Sequence, residues 1–176
     1  DGAQDINGPG RGAAASEVEK PQTLCEAAAK HALQAWAQKI NIQEAAEAVQ
    51  LQYPDAIVIA ADTSLGVDQE ILGKPESKQH AFEMWGKISG RKHDVYTAVC
   101  VRTNTQISSI VVRTEVEFQH LSPNDMEAYW ATSEPIGKAG AYAIQGIAAR
   151  YIPRIEGSYS NVVGLPLHET VQLLQA

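Results

Sequence analysis

A carboxylate and an ammonium group that could act together lie in the segment IVIAADTSLGVDQEILGKP, residues 57–75. An unbroken apolar run stops at Asp62, and Lys74 follows a short distance later. At the carboxyl end of a strand in an open α/β sheet, a carboxylate can hold a metal ion or a water molecule while a nearby ammonium group meets a phosphate. The alternative is that Asp62 caps a turn and Lys74 is a solvated surface residue. Spacing alone leaves both interpretations open.

The composition is typical of a globular protein that does not bind nucleic acid. The chain has 176 residues, of which 44% are apolar and 20% are charged, enough for one domain with a sizeable core. No apolar run approaches the roughly 20 residues that a membrane-spanning helix needs. The net charge of -7 argues against nucleic acid as a partner, because such proteins use clustered Lys and Arg. A small anionic ligand remains compatible if its charge is met locally or by a metal.

The cysteine pattern favours a reducing compartment. Cys25 and Cys100 lie far apart and have no CxxC spacing, so neither a disulfide framework nor a zinc site is indicated. We expect both to be reduced core residues of a cytoplasmic protein. The 5 histidines lack the spacing of metal ligands and are expected to be structural or exposed.

The chain is expected to divide into a leader and one domain. Residues 1–16 are rich in Gly, Pro, Asn and Asp and cannot bury enough apolar surface to become ordered, so they predict a flexible leader. Residues 17–176 are expected to form a single domain. They begin with a helix from Thr23 that contains Lys30.

The first half of the domain combines helices with a buried strand. A capping signal at Asn41 predicts a second helical segment that reaches about Gln52. Residues 56–61 predict a strand buried on both faces and ended by Asp62. Residues 64–72 predict a hairpin that turns near Asp68 and Gln69.

The second half contains an antiparallel strand pair between helices. A helix is predicted from Ser77 to Ile88, ended by Gly90, and another opens at Ser122-Pro123. Residues 91–102 and 107–120 alternate polar and apolar side chains and predict the antiparallel pair. A Gly/Ala-rich loop, a strand over 150–157 and a C-terminal helix follow. The predicted class is α/β, with a mixed, partly antiparallel sheet flanked by helices.

Four segments, taken in order and spacing, resemble the Maf family of nucleoside triphosphate pyrophosphatases. They are IVIAADTSLGVDQEILGKP, SGRKHDVYTAV, SEPIGKAGAYAIQG and GSYSNVVGLPLHET. The resemblance implies the fold shared with inosine triphosphate pyrophosphatases. It also implies hydrolysis of a nucleoside triphosphate to the monophosphate and pyrophosphate with a divalent metal, Mg or Mn, and a tendency to form homodimers.

The resemblance assigns roles to particular residues. Asp62 matches the family's general base and a metal-binding position. Lys74, and Lys30 in the segment AAAKHA, match lysines that contact the phosphates. A second acid is expected upstream of a proline, and Glu17 is its counterpart as a metal ligand, with Glu19 as the alternative.

Two further residues match the branch of the family that acts on dTTP and UTP. These are Thr63, directly after the acid, and Gln145 in the AIQG segment. A Gln amide offers a donor and an acceptor that can pair with the O4/N3 edge of thymine or uracil. The alternative for Gln145 is a loop side chain that bonds to the backbone.

The chain departs from the family pattern upstream. The family's first strand and its SxSPRR loop, which grips the triphosphate, have no counterpart, and the single arginine before residue 91 is Arg11. Gly137 also stands where the family commonly has Asp. We consider three interpretations: an N-terminally incomplete or mis-spliced version of an active enzyme, an inactive relative that binds nucleotides or a cell-division partner, and an enzyme in which another segment replaces the SxSPRR loop.

Overall fold

The computed structural model describes residues 21–68 and 70–176, with the side chains of 21–33, 35 and 36 excepted. The predicted leader, Glu17 and Glu19 lie outside the described residues, and so do the side chains of Lys30 and Cys25. Within the described ranges, no helix combines the length and the apolar character that crossing a membrane requires.

In the described part of the chain, helices pack against a five-stranded antiparallel sheet. The sheet has the order β2-β1-β3-β4-β5, and each pairing between these strands is antiparallel. The predicted α/β class is therefore confirmed. The strands are β1 (Val58–Val67), β2 (Glu70–Leu72), β3 (Lys92–Arg102), β4 (Ile107–Glu117) and β5 (Arg154–Glu156). The helices are α1 (Pro21–Gln52), α2 (Lys78–Ile88), α3 (Pro123–Trp130), α4 (Tyr159–Val163) and α5 (Leu167–Gln175), and two short 3₁₀ turns cover Ala139–Ala141 and Ile147–Tyr151.

The predicted end of the first strand at Asp62 is wrong. Strand β1 continues to Val67 and pairs with β3 from Val58 to Gly66, with Asp62 opposite Ala98. The end of the apolar run at Asp62 does not end the strand, because the backbone ladder with β3 continues through Thr63 and Ser64 to Gly66. The prediction that this strand is buried on both faces is also wrong, since Ile59 is 45% exposed.

The predicted division of the N-terminal helical region is wrong as well. A single helix, α1, runs through Asn41, whose side chain is exposed. On the opposite side of α1, Ile42 and Ala46 are buried in a cluster with Val58 and Cys100 of the sheet. A polar residue on the solvent side can resemble a helix cap in sequence, but this packing keeps the helix continuous.

Several local signals are confirmed by the structure. Ser77 caps α2 by accepting a hydrogen bond from the His80 backbone. Ser122 forms a capping box with Asp125 at the start of α3, and the hairpin and the β3–β4 pair form where predicted. Gly90 has a φ of 67°, a left-handed conformation that glycine adopts at low cost after a helix. Cys100 is a buried free thiol, and burial raises its pKa.

The main core holds a neutral histidine. His93 is 3% exposed, its Nε2 lies 2.8 Å from the Tyr142 hydroxyl, and its ring packs against Phe118. Burial disfavours the charged imidazole and lowers the pKa of His93 to about 3.

This burial predicts a pH-dependent stability. The folded pKa of His93 lies below the ordinary value of 6.5, so only the unfolded chain binds this proton as the pH falls below about 6.5. Neutral His93 makes its full contribution to the free energy of unfolding above that pH. This free energy then decreases by about 1.4 kcal/mol per pH unit as the pH falls toward 3. Urea unfolding of the wild type and His93→Gln should show a stability difference that shrinks in acid. A difference that does not change with pH would contradict the prediction.

Candidate active site

A pocket of about 210 Å³ brings together four of the residues predicted to form a site. Asp62, Thr63, Lys74 and Gln145 all line it, although they come from three different segments of the chain. The side chain of Lys30 and all of Glu17 lie outside the described part of the structure. The grouping supports the interpretation of Asp62 and Lys74 as partners in one site.

Strand β1 presents two consecutive site residues to the pocket. Side chains of neighbouring strand residues point to opposite faces, so Asp62 lies on the α1 side of the sheet and Thr63 on the other. Among the described residues, strand β2 pairs with Leu65, Gly66 and Val67 and does not extend to Asp62. Within the described strands, β1 therefore has a neighbour on one side only at Asp62, and the pocket reaches both faces around this edge.

A buried glutamine orients the Asp62 carboxylate. Gln38 of α1 is 2% exposed, and its Nε2 donates to Asp62 Oδ2 over 3.1 Å. Its Oε1 accepts from the Ser64 hydroxyl over 3.0 Å, which sets the orientation of the amide. Gln38 was not identified from sequence. The available signal was a polar residue on the side of the helix that faces the sheet.

A hydrogen-bonded threonine pair links Thr63 to the C-terminal segment. The Thr63 and Thr97 hydroxyl oxygens are 2.8 Å apart, and Thr97 donates to the Asn161 carbonyl oxygen over 2.9 Å. Asn161 is fully buried, and its Nδ2 donates to the Thr114 hydroxyl and to the Val95 carbonyl. These bonds satisfy polar groups inside the sheet and hold the Thr63 side chain at the pocket.

Two lysines enter the pocket from neighbouring loops. Lys74 is exposed, and Lys138, which sequence reasoning did not select, lies in the same pocket although it belongs to the recognised SEPIGKAG segment. The loops are joined because the Gly140 N–H donates to the Gly73 carbonyl over 2.9 Å. In a chain with a net charge of -7, this places two cations where an anionic phosphate could be held.

The loop that carries Lys138 requires glycine at position 140. Its φ is 66°, and a Cβ there would lie 2.5 Å from Leu65 Cδ1 in the core. The next residue, Ala141, also has a positive φ of 57° and accepts a hydrogen bond from Trp85 Nε1 over 3.0 Å. The tertiary contacts therefore impose a strained conformation on this loop.

Gly140→Ala should lower the free energy of unfolding by about 1 to 3 kcal/mol, because the new methyl group meets Leu65 and the left-handed backbone disfavours a side chain. Chemical denaturation would measure the loss. Gly86→Ala is the matched control, since this helical glycine has nothing within 4 Å of the added Cβ and should be neutral or slightly stabilised. Equal stability of Gly140→Ala and wild type would show that the loop adapts.

The amide of Gln145 is free to meet a ligand. Its side chain is exposed at the pocket, and within the described residues it makes no hydrogen bond. The alternative role, a loop side chain bonded to the backbone, is not seen there. Gly137 also lines the pocket, so an acid at that position would add a carboxylate to the site.

The pocket fits a divalent cation only if water and substrate phosphates supply part of its coordination. Among the described residues, no group of three His, Cys, Asp or Glu side chains could hold a metal ion. Mg²⁺ is commonly bound by one or two carboxylates together with water and substrate phosphates. The exposed Asp62 carboxylate fits that pattern.

Comparison with known proteins agrees with the arrangement of these segments. Residues 7–176 match the family described as Maf-like protein. A dTTP/UTP pyrophosphatase of Acinetobacter baylyi is 65% identical over 133 residues, which cover 76% of this chain and 73% of that protein. A protein of the same name from Pseudoalteromonas atlantica is 42% identical over 157 residues, covering 89% of this chain and 77% of the relative. A nucleoside triphosphate pyrophosphatase of Haemophilus ducreyi is 43% identical over 157 residues, covering 89% and 76%. The chain therefore belongs to the Maf family.

Proposed function

We propose that this protein hydrolyses the pyrimidine nucleoside triphosphates dTTP and UTP to the monophosphate and pyrophosphate. The observation that carries the proposal is the single pocket that contains a carboxylate, Asp62, two ammonium groups, Lys74 and Lys138, and the amide of Gln145. The names of the related pyrophosphatases support the same reaction.

Asp62 is the general base in this proposal. Its carboxylate takes a proton from the water that attacks the α-phosphorus, while the hydrogen bond from Gln38 holds it in one orientation. Asp62 would also hold a divalent metal, Mg or Mn, with Glu17 or Glu19 as the second acid. Such a metal would neutralise part of the triphosphate charge and would lower the pKa of a bound water.

The lysines act on the leaving group. Negative charge develops on pyrophosphate as the bond to the α-phosphorus breaks, and cations already in place stabilise that charge without reorganisation. In the proposal Lys74 and Lys138, which line the pocket, supply these cations, and Lys30 of α1 is a further phosphate contact.

Thr63 and Gln145 select the base. A Gln amide can donate to the O4 atom and accept from the N3–H group of thymine or uracil. Cytosine presents a donor and an acceptor in the opposite places, so a fixed amide distinguishes the two kinds of pyrimidine. The hydroxyl of Thr63, held by Thr97, adds a polar group beside it.

Pyrophosphate release from dTTP, UTP, CTP and 7-methyl-GTP, measured with Mg or Mn, tests the proposal. We expect release from dTTP and UTP that depends on the metal and exceeds release from the other two nucleotides. A folded sample that releases no pyrophosphate from any of them would overturn the proposal and favour an inactive, partner-binding relative. Preferential release from 7-methyl-GTP would instead contradict the pyrimidine assignment.

A further inference from the structure

The segment that carries Gln145 is held on both sides by two residues outside the pocket. Before Gln145, the backbone N–H of Ala143 donates to the Tyr129 hydroxyl over 3.1 Å. After it, the N–H groups of Ile147 and Ala148 donate to the Glu134 carboxylate over 2.8 and 3.2 Å. We call these two side chains and their three backbone bonds the clamp.

The two side chains of the clamp are hydrogen-bonded to each other, and the donor and acceptor of each bond can be assigned. A carboxylate only accepts hydrogen bonds, so the Tyr129 hydroxyl donates to Glu134 over 2.7 Å and uses its lone pair for Ala143. Burial, reinforced by the Glu134 carboxylate, raises the pKa of Tyr129 and keeps this donor protonated. Burial acts to raise the pKa of Glu134, but hydrogen bonds from Ile147, Tyr129 and Ala148 hold it below its ordinary value.

The residue after Gln145 is a glycine because the clamp occupies the space of a side chain. A Cβ at Gly146 would lie 2.1 Å from Glu134 Oε2 and 2.6 Å from Oε1. Any other residue would push the carboxylate away from the backbone amides that it accepts from. The hydrogen bonds that Glu134 accepts therefore require glycine at position 146.

We infer that Tyr129 and Glu134 are positioning residues for base selection, because they fix the backbone on both sides of Gln145. The inference rests on the proposed function, in which Gln145 meets the base. Neither Tyr129 nor Glu134 lines the pocket, so each acts through Gln145. Because the Gln145 amide makes no hydrogen bond within the described residues, its placement depends on the backbone that carries it.

The test compares Glu134→Gln and Tyr129→Phe with Gln145→Ala and with the Glu134→Gln/Gln145→Ala double variant. Both clamp substitutions nearly preserve side-chain volume. The readouts are the UTP-to-CTP ratio of kcat/KM and the UTP-to-CTP affinity ratio measured without metal. Each single variant should lower both ratios about three- to tenfold, the effect of one misplaced hydrogen bond, and the double variant should lose no more than Gln145→Ala. Glu127→Gln, on α3 and paired with Lys78 at the surface, is the matched control and should keep the wild-type ratios.

The melting temperature of each variant shows whether a change in selectivity comes from a misplaced Gln145 or from a destabilised fold. Gly146→Ala supplies a second route to the same defect, because its methyl group displaces Glu134 without removing the carboxylate. The inference is overturned if the clamp variants lose activity toward UTP and CTP equally, or if Glu134→Gln and Gln145→Ala have additive effects.

The two proposals fail in different ways. If the wild type releases no pyrophosphate but binds UTP more tightly than CTP, and the clamp variants remove that difference, the proposed activity fails while the inference stands. If hydrolysis occurs without discrimination between UTP and CTP, the inference fails while pyrophosphatase activity stands. A wild type that neither hydrolyses nor binds these nucleotides overturns both.

Discussion

Asp62→Asn is expected to reduce pyrophosphate release from dTTP and UTP by about 100-fold or more, the usual contribution of a general base. An amide cannot take a proton from the attacking water at neutral pH. The substitution retains the size of the side chain, and its carbonyl oxygen can still accept from Gln38, so the local fold should persist. Steady-state kinetics with both nucleotides would measure the change, which should fall on kcat.

Asp55→Asn is the matched control for that experiment, because Asp55 is an exposed acid in the turn before β1 and does not line the pocket. It should retain wild-type kinetics. Asp62→Asn that keeps wild-type turnover would remove Asp62 from the chemistry. A large loss of thermal stability in Asp62→Asn would mean that the lower activity results from impaired folding. The main role of Asp62 would then be its hydrogen bond with Gln38.

Lys74→Met is expected to lower kcat/KM for dTTP and UTP by about 100-fold, comparable to the loss of one group that stabilises developing charge. Methionine preserves the aliphatic length of the side chain but removes the cation that stabilises pyrophosphate in the proposed reaction. Since Lys74 is exposed and the loop is held by the Gly140–Gly73 bond, folding should be little affected. Pyrophosphate release at several nucleotide concentrations would separate effects on kcat and KM.

Lys78→Met provides the comparison for Lys74→Met. Lys78 is paired with Glu127 on the surface and lies outside the pocket, so its loss should change activity little. Equal effects of the two substitutions would indicate a general response to lost positive charge. An unchanged Lys74→Met enzyme would place phosphate binding on other residues, of which Lys138 is the first to test.

The proposed reaction depends on contacts between segments that are distant in the chain. Gln38 of α1 orients Asp62, Thr97 of β3 holds Thr63, and the loop with Gly140 joins the one with Lys74. Each contact joins a recognised motif to a residue of another element. Substitutions that weaken these contacts should therefore impair catalysis even where the motif residues are intact.

The sequence by itself determined the local elements and the identities of most candidate residues. Capping by Ser77 and Ser122 depends on hydrogen bonds within three residues, so it can be read from a short segment. The β3–β4 pair follows from alternating side chains on either side of a short turn. Asp62, Lys74 and Gln145 were identified because they stand in ordered motifs.

Only the tertiary structure decided where the elements continue and which side chains meet. Strand β1 runs past Asp62 because β3 pairs with it, and α1 runs past Asn41 because Ile42 packs on the sheet. Gln38, Lys138 and the clamp were not identified from sequence. Their roles arise from contacts between residues far apart in the chain, and neither hydrophobic periodicity nor local capping preference carries information about such contacts.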